Sequence, residues 1–235
     1  MLKQVRVAVL CLAASMFLSM QSFADADLTE IETKWLRAAE PVLEHARQQG
    51  LAIDVIVRPD SKAGDVPLSM GVRDQRCKLV LAMRNNPDAE KVLLTAPATQ
   101  HAILIEAMTA HEVAHCWRFA NGIWHALPAG FVEATNDEDK DGALAQRKRE
   151  MRATQREEGF ADLVGLAWTQ QHHPEHYEQL HTWLTELRSD QPLAGSYHDT
   201  RVWIALAKHP SAFTRGESLF DEAFALWIKG LRFEH

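Results

Sequence analysis

Two histidines four residues apart, with a glutamate beside the first, stand at His111-Glu112-Val113-Ala114-His115. On an α-helix that spacing leaves two side chains about 40° apart in azimuth and one turn apart along the axis. Both imidazoles can then reach one metal ion. Glu112 is rotated by about 100° from His111, so its carboxylate sits beside such an ion instead of on it, where it can take a proton from a metal-activated water. Downstream, Glu158-Gly159-Phe160-Ala161-Asp162 again sets two carboxylates four apart on a predicted helix.

An HExxH helix followed by an ExxAD helix is similar to the gluzincin zinc peptidases, a match that covers these two helices and not the whole chain. The resemblance implies that His111, His115 and Glu158 hold Zn2+, that Glu112 is the general base, and that Asp162 accepts a hydrogen bond from the His111 ring. Zinc in catalytic sites favours three protein ligands and an open position, and a ligating histidine usually has a carboxylate behind it. Glu157 and Asp162 remain alternative third ligands. Metzincin spacing fails, because Arg118 and Asn121 occupy the positions where that pattern needs Gly and His. Gly159 and Gly165 are expected to let the second helix approach the first.

The implied activity is hydrolysis of a peptide or protein substrate, with zinc acidifying a water and polarising the carbonyl. Such a reaction needs a donor for the oxyanion. His198 is the leading candidate and Tyr197 the second, against the blander reading of a helix start capped by Asp199. Two other functions use the same residues: a non-catalytic zinc-stabilised binding protein, against which the intact Glu112 argues, and a zinc hydrolase of a non-peptide amide or ester. A closed structural zinc site would want a fourth Cys or His. Cys116 directly follows His115 and points to a different helix face.

Several features invite a functional reading and receive a structural one. Residues 137–142 match the first half of a calcium loop, but Lys148 stands where a bidentate Glu is required. His172, His173, His176 and His181 read as a solvated face with no carboxylate arranged among them. The seven Trp read as core and pocket-wall residues.

The elements that must position this chemistry follow from the flanking sequence. Residues 1–24 carry Lys3, Arg6, an apolar run and small residues near Ala24, the pattern of a cleaved signal peptide. The run is shorter than the roughly 20 residues a membrane span needs, so no stable anchor is expected after cleavage. The expected location is exported, periplasmic or secreted. Residues 25–235 are long enough for a single domain. A formal charge of −7 without a basic cluster argues against nucleic acid as a partner. Cys77 and Cys116 survive cleavage, and in an oxidising compartment they are expected to pair.

A capped helix is predicted from Asp27, kinked near Pro41 and closed by Gly50, then strands at 51–57 and 78–83 around a turn-rich stretch at 59–71. Long helices are predicted at 99–120 and 143–171, with shorter ones at 174–188, 199–208 and 217–231. The fold class is therefore α+β: a mainly helical, zincin-like metallopeptidase domain with a small N-terminal β-sheet. By the same resemblance, the strand at 78–83 is the expected edge for pairing with extended substrate.

Overall fold

The computed structural model describes residues 28–131, 142–189, 196–214 and 216–233. The expected signal peptide, the Asp27 cap and the acidic residues 137–141 lie outside the described residues. Helix α1 (Glu30–Gln48) begins at Thr29, whose hydroxyl accepts from the Glu32 N–H while Glu32 Oε2 accepts from the Thr29 N–H at 2.8 Å. This reciprocal cap satisfies two otherwise orphaned donors. The helix continues through Pro41 and buries Trp35, Ala39, Val42, Leu43 and Ala46. Each large apolar side chain so buried contributes about 1.5–3 kcal/mol.

Three strands follow: β1 (Ile53–Val57), β2 (Leu68–Arg73) and β3 (Arg76–Leu81). Their order is β1-β3-β2, with β1 parallel and β2 antiparallel to β3. The strand expected to be the edge is thus the central one, with both sides already paired. The outer strands are β1 and β2, and β2 is the one beside α2; its Leu68, Met70 and Val72 alternate, but Pro67 before them, Gly71 among them and the turn-rich residues ahead of them hid the strand in the sequence.

The phase of β2 decides what it offers. Antiparallel neighbours alternate between pairs that exchange ladder bonds and pairs that do not. Ala82 N–H donates to Pro67 O at 2.9 Å, which puts Pro67, Ser69 and Gly71 in the bonded set. The backbone N–H and C=O groups of Leu68, Met70 and Val72 therefore face away from β3. A two-residue turn at Asp74 and Gln75, with φ 53° and 58°, closes the hairpin in the twist that such turns favour.

Helices α2 (His101–Ala120), α3 (Ala143–His172), α4 (Tyr177–Ser189), α5 (Arg201–Leu206) and α6 (Leu219–Gly230) complete the chain. The result is a mainly helical α+β fold in which α2 and α3 form the centre, α1 and β2 pack on α2, and α6 packs on α3. At Gly165 a Cβ would stand 2.9 Å from the Ala107 carbonyl oxygen, so only glycine allows α3 this close to α2. Gly159 serves another contact: its Cβ would meet Trp203 of α5 at 2.3 Å. A disulfide joins Cys77 on β3 to Cys116 on α2, with Cα atoms 5.8 Å apart. Among the described residues, no helix is long and apolar enough to cross a membrane.

Candidate metal centre and cleft

The close approach of α2 and α3 brings His111, His115 and Glu158 together. His111 Nε2 lies 3.2 Å from His115 Nε2, and Glu158 lies 3.3 Å from the first through Oε2 and 3.5 Å from the second through Oε1. Bonds of about 2.0–2.1 Å to a tetrahedral zinc ion put neighbouring ligand atoms roughly 3.3–3.4 Å apart. One ligand atom from each of the three residues lies within 4.8 Å of the others, somewhat wider than that ideal, and the group could hold a metal ion. Glu158 Oε2 is buried with no hydrogen bond of good geometry, an acceptor that a cation would satisfy.

Behind these donors, His111 Nδ1 lies 2.9 Å from Asp162 Oδ1. A proton on Nδ1 is thereby claimed, and Nε2 is left to face Glu158. Asp162 is itself gripped: Arg188 Nε and Nη2 donate to it at 2.9 and 2.7 Å, and Thr200 Oγ1 donates at 2.6 Å. Glu157, adjacent to Glu158 in sequence, is engaged elsewhere. Its Oε2 accepts from Arg118 Nε at 2.6 Å and its Oε1 from the His125 N–H at 2.8 Å. Of the three acids weighed as third donor, Glu158 alone joins both histidines in the group.

The electrostatics favour a cation here. Burial opposes charging the His111 ring, but contact with Asp162 and Glu158 outweighs it and pushes the group up to about 10. Burial would raise Glu158, yet the facing His111 brings it down to about 2. Burial also would raise Asp162, and Arg188 and His111 together hold it well below the usual carboxylate range. His115, buried beside the His111 charge, is pushed down to about 3. Beside the fixed charge of Arg188, the two carboxylates favour a second positive charge at the His111 side of the group.

Glu112 is not one of the three donors. Burial pushes its carboxyl up to about 7, and it accepts a hydrogen bond from the Met70 backbone N–H, one of the outward-facing groups of β2. The edge strand thus touches the residue expected to move the proton.

The donors open into a cavity of about 480 Å³ lined by β2 from Leu68 to Met70, by Met108, Trp183 and Leu187, and by Arg188, His125 and His198. His198 Nε2 is 3.7 Å from Glu158 Oε2 and its side chain is half exposed. Its segment is tied to α3 by Gln155, which donates to Ser196 O at 2.7 Å, and by the Thr200 bond to Asp162. Tyr197 does not line the cavity. Asp199 does not cap α5: it pairs with Arg201 at 2.7 Å, and Thr200 precedes the helix.

Arg188 and His125 escaped the sequence reading, as did the part Thr200 plays behind Asp162; Trp124 lines the cavity, as a pocket-wall reading of the Trp residues expects. The histidine-rich stretch is not a bare solvated face. His173 Nε2 lies 2.8 Å from Glu106, His172 stacks on Trp168 with centroids 3.7 Å apart, and His181 Nε2 lies 2.9 Å from Ile204 O. Trp35, Trp168, Trp203 and Trp227 are core residues, and Trp35 and Trp183 also wall the cavity. Comparison with protein-family models, curated proteins and solved structures finds no match to this chain.

Proposed function

We propose that the chain is a zincin-like, zinc-dependent hydrolase of peptide bonds, with His111, His115 and Glu158 as metal ligands and Glu112 as general base. The observation that carries the reading is the convergence of these three donors beside a buried carboxylate in a cleft bordered by a free strand edge. Bound zinc would supply Lewis acidity towards a carbonyl and acidify water. All else falls to side chains of the chain itself.

Leu68, and Met70 through its carbonyl, offer backbone groups to an extended substrate by β-augmentation. Glu112 accepts the proton of the attacking water and delivers it to the leaving amine. The Met70 N–H holds that carboxylate towards the strand on which the substrate lies. His198 and His125, both lining the cavity, are the available donors to an oxyanion. Asp162 and Arg188 orient His111. The free edge of β2 favours a peptide over a small amide or ester.

The test combines metal analysis with peptide-library cleavage, with and without chelator. Zinc-loaded protein should cut peptides and lose that activity on chelation. Zinc-loaded protein that cuts none would overturn the reading.

A further inference from the structure

A buried ion pair beside the metal donors, with neither side chain among them, shapes the turn after α2. Arg118 and Glu157 are each 1% exposed and are joined at 2.6 Å. Their remaining bonds go to backbone. Arg118 Nη2 donates to Ile123 O and to Ala126 O, both at 2.9 Å, and Glu157 Oε1 accepts the His125 N–H at 2.8 Å. The Ala126 N–H closes the turn on Ile123 O at 3.0 Å.

Within turn 123–126, His125 has φ 57°. A residue with a Cβ occupies that left-handed region only under strain, and turns of this kind normally place Gly or Asn there. Two buried charges hold a conformation that the local sequence disfavours.

What that conformation displays is Trp124. Its ring lies 5.6 Å from His115 at 71° and 5.1 Å from His125 at 26°. Although flanked by two imidazoles, it is 43% exposed, and it lines the same cavity as the metal donors. An indole fixed in that place is an apolar wall beside the reacting bond.

We propose that Trp124 is a substrate-recognition residue on which an apolar side chain of the bound peptide packs, and that Arg118 and Glu157 are positioning residues acting through turn 123–126. The inference rests on the cleft being that of a peptide hydrolase. Loss of an aromatic packing partner is expected to weaken substrate binding about tenfold.

The experiment uses the zinc-loaded full chain and the best peptide from the library, with Trp124→Ala, Trp124→Phe, Arg118→Lys and the double variant Trp124→Ala/Arg118→Lys. Trp124→Ala should raise KM about tenfold with kcat within about twofold, keep its zinc, and lose the preference for apolar residues at one substrate position. Trp124→Phe should restore most of it. Arg118→Lys should raise KM in the same direction, and the double variant should be no worse than Trp124→Ala, because both changes act through one turn. If wild type cleaves peptides and Trp124→Ala leaves KM and positional preference unchanged, the inference is overturned and the functional reading stands. If zinc-loaded wild type cleaves no peptide, both fall. Should Arg118→Lys fail to fold, the surface-exposed Trp124 variants alone decide the matter.

Discussion

Asp162 and Arg188 form a two-pronged ion pair, Oδ2 with Nε at 2.9 Å and Oδ1 with Nη2 at 2.7 Å, and the same Oδ1 lies 2.9 Å from His111 Nδ1. A helix outside the two motif helices therefore fixes the orientation of a metal-site imidazole. Arg188 does so at a distance, through the carboxylate between them.

Asp162→Asn is accordingly expected to retain zinc at about 10- to 100-fold lower affinity. It should also lose stability, since Arg188 keeps its charge in a buried place without its partner. Glu158→Ala should be metal-poor. Competition with a zinc chelator gives the ranking, and Asp162→Asn emptier than Glu158→Ala would make Asp162 the third ligand.

Glu112→Gln should abolish hydrolysis and leave zinc content nearly unchanged, because the carboxylate stands beside the donors and not among them. Metal analysis of the inactive variant checks this. A zinc-free variant would reassign Glu112 as a ligand.

The Cys77–Cys116 bond spans a sequence separation of 39 residues, worth about 4 kcal/mol in the chain-entropy model. In a domain of this size that corresponds to a melting temperature lower by roughly 10 °C after reduction. Thermal unfolding with and without reductant measures it. Equal midpoints in protein whose two thiols are confirmed free would refute the contribution.

Burial works against an ionised Glu32, yet hydrogen bonds from Arg84 and Thr29 hold its carboxyl below the ordinary range. A carboxyl depressed in the folded state stabilises above its unfolded value, about 4.3, and loses that stabilisation as pH falls through the folded value. Glu32→Gln should therefore cost about 1–3 kcal/mol near neutrality, and the deficit should shrink below about pH 4. Denaturant titrations at two pH values test it; a deficit that does not change with pH counts against the assignment.

Gly165→Ala should push α3 away from α2, since the added Cβ meets a backbone oxygen at 2.9 Å and backbone cannot swing aside. Zinc affinity is expected to fall along with stability, because the two helices carry the donors. Unchanged zinc affinity would show that the helices can separate without disturbing the site.

The metal group was legible because helical geometry turns a spacing of four into spatial proximity, and His111, His115, Glu158 and Asp162 all use it. The long helices were legible for similar local reasons, and the Cys77–Cys116 pair from the number of cysteines and the expected oxidising compartment. The edge strand was not: with Gly71 in its middle, β2 owes its existence to pairing with β3 and packing on α2, neither of which a local pattern records. Arg188 and Arg118 were equally hidden, since each finds its acid on another helix, and no spacing rule links Arg188 to Asp162 or Arg118 to Glu157. Glu157 and Glu158, adjacent in sequence, point about 100° apart around α3 and take different partners, Arg118 and the His125 N–H for the first and the two histidines for the second, a division visible only once the neighbouring helices are in place.

The disulfide has a mechanical meaning as well as a thermodynamic one. It bolts β3 to α2, and β2 rides on β3, so the strand edge and the metal helix form one rigid jaw. The facing side of the cleft, where α4 carries Trp183, Leu187 and Arg188, has no such covalent tie among the described residues. A displacement of α4 would bear on Asp162 through Arg188, and through Asp162 on His111, so that the width of the cleft and the aim of that imidazole are mechanically linked.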